Sequence, residues 1–220
     1  DTGRTDDGSI YVVSKFIEGC TLSDRIKSDR PSFDEIAKLL ATVAHALHHA
    51  HERRLIHRDV KPGNIMWTEQ EEVKVIDLGF AASAGEASAA DSAVGTAEYL
   101  SPEQARGGAA ADLRSDIYSL GATLFHLVIG RLPFEGSDNE EVLRKQVMDS
   151  LSSPELKGRG LSPHLHYFIE KMMAKDAEVR HQSWDALIAD IKQQLAGRES
   201  LDFEGQVREQ QKRGRRGFRR

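Results

Sequence analysis

Residues 57–64 have the sequence His57-Arg58-Asp59-Val60-Lys61-Pro62-Gly63-Asn64. An acid, an amine and an amide stand within this stretch, between the short apolar runs Leu55-Ile56 and Ile65-Met66-Trp67. Both runs are too short for helices, so we expect small strands that hold the stretch in place as a loop. Loops held on such a scaffold are where catalytic side chains are commonly found.

Other short motifs follow this loop along the chain. In order they are Asp77-Leu78-Gly79, Gly95-Thr96-Ala97-Glu98-Tyr99, Ser101-Pro102-Glu103, Ser115-Asp116-Ile117-Tyr118-Ser119-Leu120-Gly121 and Lys175-Asp176-Ala177-Glu178-Val179-Arg180. Together with residues 57–64 they resemble the signatures of a serine/threonine protein kinase of the eukaryotic-like, bacterial type, over about residues 10–195. One motif of this kind would be weak support, but six in the family's order and spacing are specific.

The resemblance implies an α+β, protein-kinase-like fold. Most of the chain would form the helical large lobe, with small β-hairpins around the catalytic loop. Residues 1–17 would be a remnant of the small lobe and hinge, residues 18–196 the large lobe, and residues 197–220 a basic, disordered tail. Apolar periodicity separately predicts the helices, at residues 36–47, 115–129, 140–148, 163–174 and 183–195, whereas residues 79–95 predict a mobile loop.

The resemblance also assigns catalytic roles by residue. Asp59 matches the base that accepts the proton of the acceptor hydroxyl, and Lys61 would steady the transferring phosphate. Asn64 and Asp77 would bind Mg²⁺, which prefers oxygen ligands. Thr96 would hydrogen-bond to Asp59 and Lys61 and shape the acceptor pocket. The implied cofactors are therefore ATP and Mg²⁺.

Adenine contacts are also carried over from the family pattern. The backbone at Lys15 and Ile17 would hydrogen-bond the edge of the base, and Leu22 and Ile65 would pack under it. The glycine-rich loop over the phosphates, the strand lysine and its glutamate partner have no counterpart in this sequence. We therefore expect the chain to be truncated at its N-terminus, without most of the small lobe, and to be weakly active or inactive by itself.

Several further residues are predicted to have structural roles. Asp116 would anchor the backbone of the catalytic loop near His57, and His57 would be a packed core residue without a chemical role. Glu103 and Arg180 would form a buried ion pair between distant segments.

Composition limits the other functions. The net charge is −5, but residues 205–220 carry +6 and residues 1–204 therefore carry −11, which is atypical of a dedicated nucleic-acid-binding domain. Cys20 is the single cysteine, so no internal disulfide can form. The histidines of residues 45–51 lack a complete zinc-binding motif, and a polar helix face is the favoured interpretation over a metal site.

The function predicted on these grounds is transfer of the ATP γ-phosphate to serine or threonine hydroxyls of proteins, in the cytoplasm. The alternative is a non-catalytic kinase-lobe module that binds partners. Partners would be protein substrates, with self-association allowing phosphorylation in trans. No specific nucleic acid and no membrane span are expected in this chain, although a parent protein could be anchored elsewhere.

Overall fold

The computed structural model describes residues 2–28, 33–78, 82–83, 96–107, 111–151 and 163–195. Its strands are β1 (Thr2–Arg4), β2 (Ile10–Val12), β3 (Gly19–Thr21), β4 (Leu55–Ile56), β5 (Ile65–Thr68), β6 (Val73–Val75) and β7 (Ala82–Ser83). Its helices are α1 (Leu22–Ser28), α2 (Phe33–Glu52), α3 (Pro102–Ala105), α4 (Leu113–Ile129), α5 (Asn139–Met148), α6 (Pro163–Met172) and α7 (Trp184–Leu195). The predicted basic tail lies outside the described residues.

Helix α4 is the centre of the core. Its residues from Ser115 to Phe125 are all buried, as expected of a helix that is apolar nearly all round. Asp112 begins the helix by accepting a hydrogen bond from the backbone N–H of Arg114, and Gly130 ends it in the left-handed conformation, with φ of 80°. Helix α6 packs against α4 so closely that a side chain at Gly121 would collide with Met172.

Helix α2 has one apolar and one polar face. Its apolar face is buried against the rest of the core and consists of Ile36, Leu39, Leu40, Val43 and Leu47. The histidines on the other side contact acidic neighbours: His48 Nε2 lies 3.6 Å from Asp185 Oδ1, and His49 Nδ1 lies 3.6 Å from Glu52 Oε2. Among the described residues, no group of three or more His, Cys, Asp or Glu side chains could hold a metal ion.

Two small antiparallel sheets frame the loop of residues 57–64, called the catalytic loop after its predicted role. Strand β5 pairs with β3 on one side and β6 on the other, and β4 pairs with β7. The loop of residues 57–61 therefore begins at the end of β4 and leads through a 3₁₀ turn, Pro62–Asn64, into β5. The segment predicted as a mobile loop, residues 79–95, contains a short strand at Ala82–Ser83, which pairs with Leu55–Ile56. The rest of that loop lies outside the described residues.

The hairpin formed by β1 and β2 carries apolar side chains on its surface. Thr2 pairs with Val12 and Arg4 with Ile10. Ile10 is 68% exposed, and Phe16, in the connection to β3, is 83% exposed. This segment therefore contributes little apolar burial to the core. No helix in the described part of the chain is long and apolar enough to cross a bilayer.

Candidate active site

The carboxylate of Asp59 is buried and held by donors from several directions. Its side chain lies between Lys61, whose Nζ is 2.6 Å from Oδ2, and Asn64, whose Nδ2 donates to Oδ2 at 3.0 Å. The backbone N–H of Thr96 donates to Oδ1 at 3.2 Å. With only 3% of the residue exposed, this charge is stabilised by an adjacent cation and oriented by hydrogen bonds.

Lys61 and Thr96 complete the cluster around Asp59. The Lys61 amine donates to Thr96 Oγ1 at 2.6 Å, and Thr96 Oγ1 lies 3.5 Å from Asp59 Oδ1. The hydrogen bonds predicted for Thr96 are thus present. They bring the segment Thr96–Tyr99, which is distant in sequence, next to the carboxylate. The carboxylate of Asp59, the amine of Lys61 and the hydroxyl of Thr96 therefore all lie within 3.5 Å of one another.

Asp116 holds the backbone of the loop from inside the domain. Its Oδ2 accepts from the N–H of His57 and its Oδ1 from the N–H of Arg58, both at 2.8 Å. Arg58 has φ of 66°, a left-handed conformation that costs a non-glycine residue free energy and needs such support. Burial raises the pKa of the Asp116 carboxyl, and the two N–H donors oppose that rise because they favour the charged form.

His57 links the catalytic loop to the segment that carries Asp77. It is fully buried, its Nδ1 accepts from the N–H of Asp59 at 3.3 Å, and its Nε2 lies 3.1 Å from the carbonyl oxygen of Ile76. These partners require the proton to be on Nε2, which donates to Ile76. His57 is therefore a packed structural residue, as the sequence predicts.

Asn64 and Asp77 carry the oxygen atoms that are predicted to bind a metal ion. The N–H of Ile76 donates to the Asn64 carbonyl at 2.9 Å, which ties the two segments together one residue before Asp77. Asn64 uses Nδ2 to donate to Asp59, so its Oδ1 is the atom that a cation could bind. Asp77 is exposed and has φ of 60°. Strained backbone of this kind is common at functional sites.

This donor set suits Mg²⁺. Magnesium is usually bound through one or two protein oxygen ligands, with waters and substrate phosphates completing the octahedron. Asn64 and Asp77 offer one amide and one carboxylate oxygen donor group, in keeping with that requirement. Such an ion does not need a buried cage of several carboxylates.

The prediction that two side chains pack under adenine is contradicted by the burial of both. Leu22 and Ile65 are both 0% exposed and lie in the apolar core, so neither side chain offers surface to a base. Successive side chains of a strand point to opposite faces, and Met66, the neighbour of Ile65 on β5, is only partly buried. Strand alternation places Ile65 and Met66 on opposite faces of β5, but it does not indicate which of the two faces is buried. Lys15 and Ile17 lie in the irregular segment between β2 and β3.

Gln104 is a supporting residue that the sequence analysis missed. Its Oε1 and the Ser101 side chain form a capping box at the start of α3, and its Nε2 donates to the carbonyl oxygen of Arg58 at 3.0 Å. The S-x-x-Q pattern predicts a capping box. The bond to Arg58 spans 46 residues of sequence and has no local signature.

The predicted ion pair between Glu103 and Arg180 is present. Arg180 NH1 and NH2 donate to the two carboxylate oxygens at 2.7 and 2.9 Å, and the Arg180 side chain is 0% exposed. Ser115 Oγ donates to the same carboxylate, while Arg180 also donates to the carbonyl oxygens of Ala174 and Arg114. The pair thus joins α3 to α4 and to the segment before α7.

The sequence was compared with models of protein families and with the sequences of known proteins. The family model of the protein kinase domain matches residues 4–191. The chain is 37% identical over 198 residues to the serine/threonine-protein kinase PknB of Mycobacterium leprae, covering 87% of this chain and 32% of that protein. It is 39% identical over 186 residues to PknB of Mycobacterium tuberculosis, covering 82% and 30%.

A third relative is PknB of Mycolicibacterium smegmatis, 38% identical over 199 residues, with 87% of this chain and 32% of that protein covered. The chain therefore spans about a third of the length of these relatives. Residues 4–191, which match the family model, make up most of the sequence and include the Asp59 cluster and the Glu103–Arg180 pair. The chain belongs to the protein kinase domain family.

Proposed function

We propose that the full-length protein transfers the γ-phosphate of Mg-ATP to serine and threonine hydroxyls of other proteins. The observation that carries this proposal is the contact of Asp59 with both Lys61 and Thr96. A scaffold that only binds partners has no physical need to bury a carboxylate against a lysine amine at this position. The relatives named serine/threonine-protein kinases support the same conclusion.

In this mechanism Asp59 accepts the proton of the acceptor hydroxyl. The hydroxyl oxygen then forms a bond to the γ-phosphorus while the bond from that phosphorus to the β,γ-bridging oxygen breaks, and ADP leaves. Lys61, 2.6 Å from Asp59 Oδ2, is placed to offset the charge of the transferring phosphoryl group. Asn64 and Asp77 would hold Mg²⁺, which supplies positive charge to the phosphates when bound.

The nucleotide base would lie over β5 beside the segment that contains Lys15 and Ile17. Met66, on the face of β5 opposite Ile65, offers a partly exposed apolar side chain, in place of Leu22 and Ile65. Backbone groups at Lys15 and Ile17 would bond the adenine edge, so the side chains there matter little. We also infer that this domain works in the cytoplasm, where ATP is abundant.

Acceptor specificity tests the proposal directly. The full-length protein should phosphorylate peptides that carry serine or threonine and leave the matched tyrosine peptide unmodified. In the family, a lysine at the position of Lys61 marks serine/threonine kinases rather than tyrosine kinases. The measurement is mass-spectrometric mapping of phosphate on matched peptides with Mg-ATP, with chelation of Mg²⁺ as the control. Phosphotyrosine as the sole product would contradict the assignment.

Phosphorylation of the loop at residues 79–95 is a second expected property. Arg58 directly precedes Asp59, and in the family an arginine there commonly pairs with a phosphate on this loop. The acceptors available are Ser83, Ser88 and Ser92, whose side chains lie outside the described part of the structure. A phosphate adds about −1.5 to −2 charges and can order a loop against arginine.

Mass spectrometry of the full-length protein after incubation with ATP should therefore find phosphate between Gly79 and Gly95. A triple serine-to-alanine variant should lose most of its activity, whereas Ser9→Ala with Ser14→Ala, at exposed positions, should retain it. Absence of phosphate from the loop, or full activity of the triple variant, would show that the loop is not the switch.

A further inference from the structure

Gln146 is a fully buried amide on helix α5, far in sequence from the catalytic loop. A buried amide costs free energy unless its donors and acceptor are paired, so its partners indicate why it is there. Its Nε2 donates to the backbone carbonyl oxygen of Glu98 at 2.8 Å and to that of Ala97 at 3.3 Å. These carbonyls immediately follow Thr96, whose N–H and hydroxyl contact Asp59.

The amide oxygen of Gln146 is held from the other side. Tyr118 OH donates to Oε1 at 2.6 Å, and Lys175 Nζ donates both to Tyr118 OH at 3.0 Å and to the backbone oxygen of Gln146 at 2.6 Å. Tyr118 is itself on the central helix α4 and fully buried. The orientation of the Gln146 amide is therefore determined, with its NH₂ toward residues 97–98 and its oxygen toward α4.

The segment Thr96–Tyr99 is consequently held on two sides. Asp59 and Lys61 contact its first residue, and Gln146 binds the carbonyls of the next two. Tyr99 OH completes the support through a contact of 2.7 Å with Nδ1 of His126 on α4. Any hydroxyl that reaches Asp59 must come close to this segment, because Thr96 lies against the carboxylate.

We propose that Gln146 is a positioning residue for the acceptor: it holds the backbone of residues 97–98 in the conformation that the protein substrate binds. The proposal rests on the kinase function proposed above and names a determinant of its substrate binding. Gln146 touches neither the nucleotide contacts nor Asp59, so its effect should be confined to the acceptor. The nearby Lys175 is a poor test position, since its amine also contacts Tyr118 and the Phe134 ring, and its loss would disturb more than the Gln146 amide.

The decisive variant is Gln146→Glu in the full-length protein. Glutamate has nearly the same size and shape and can still accept from Tyr118, but its carboxylate cannot donate to the carbonyls of Ala97 and Glu98. We expect the KM for a serine peptide to rise about 5- to 30-fold, the effect of leaving buried acceptors unpaired. The KM for ATP should change less than about twofold, because no nucleotide contact depends on this amide.

Gln193→Glu is the matched control, since it makes the same chemical change at an exposed position on α7. It should leave both constants unchanged. Hydrogen–deuterium exchange provides a measurement that is independent of activity: backbone amides of residues 96–100 should exchange faster in Gln146→Glu, and those of α2 should not. If the wild-type protein phosphorylated no acceptor, the proposed function would fail, and exchange would still decide the positioning role.

Unchanged peptide KM and unchanged exchange in Gln146→Glu would overturn the proposal. An equal rise of the KM for peptide and the KM for ATP, together with a lower melting temperature, would also overturn it, because that result would indicate a purely structural role. If the glutamate variant does not fold, Tyr118→Phe decides, because it removes one hydroxyl from the network and keeps the ring. That variant should raise the peptide KM in the same direction by a smaller factor, and an unaltered peptide KM would contradict the inference.

Discussion

Replacing Asp59 with asparagine should lower the rate of phosphoryl transfer by the full-length protein about 10²- to 10⁴-fold, the usual contribution of a positioned acid–base group. Asparagine fills nearly the same volume, but its amide cannot accept the proton of the acceptor hydroxyl. Asp59 Oδ2 is contacted by the Lys61 amine and the Asn64 amide, both donors. An NH₂ group on that side would face donors, so the variant would also weaken the cluster.

The rate should be measured in single-turnover experiments with saturating ATP and peptide, so that product release does not hide the chemical step. Asp185→Asn is the matched control, because the Asp185 side chain is 80% exposed. The control should react at the wild-type rate. A wild-type rate for Asp59→Asn would show that Asp59 is not the base, whatever the geometry of the cluster.

Replacing Arg180 with methionine should reduce the free energy of unfolding by about 3–5 kcal/mol, since it leaves the Glu103 carboxylate without its cation. The guanidinium donates to both oxygens of that carboxylate and to the carbonyl oxygens of Ala174 and Arg114. Removing it strands all of these acceptors. The double variant Glu103→Leu with Arg180→Met should be less destabilised than Arg180→Met alone, because no buried charge remains.

The same pair predicts a dependence of stability on pH. Burial acts to raise the pKa of Glu103, but hydrogen bonds and charge from Arg180 outweigh it and lower that pKa to about 2. Because the folded pKa lies below the unfolded value, the pair stabilises the fold above about pH 4.5, and this contribution is lost as the pH falls toward 2. Denaturant unfolding of the wild type, Glu103→Gln and the exposed control Glu140→Gln between about pH 6 and about pH 3 would measure this contribution.

Glu103→Gln should show a shallower loss of stability with acid than the wild type, and Glu140→Gln should follow the wild type. Equal slopes for all three proteins would mean that the carboxylate of Glu103 titrates alike in the folded and unfolded states. Stability of Arg180→Met within 1 kcal/mol of the wild type, a small fraction of about 3–5 kcal/mol, would contradict the buried-pair argument.

The sequence alone predicted the site residues through its family motifs, and the helices through local periodicity. Asp59, Lys61 and Asn64 stand close together in one loop, and the base, cation and metal ligand that the kinase resemblance predicts there each need a particular functional group. The helices could also be predicted from the sequence, because apolar repeats such as that of α2 and stop signals such as Gly130 act over a few residues. Asp116 and the Glu103–Arg180 pair were predicted from the family pattern and are confirmed.

Tertiary structure alone decided which side chains face the core and which backbone groups distant side chains reach. Ile65 and Met66 are both apolar, and only the packing of β5 on the helices buries the first and leaves the second partly exposed. Gln104 and Gln146 bind backbone carbonyls 46 and 48 residues away. Every residue has a carbonyl, so such a bond leaves no mark in the partner's side chain, and it forms only where the folded elements bring the two groups within reach.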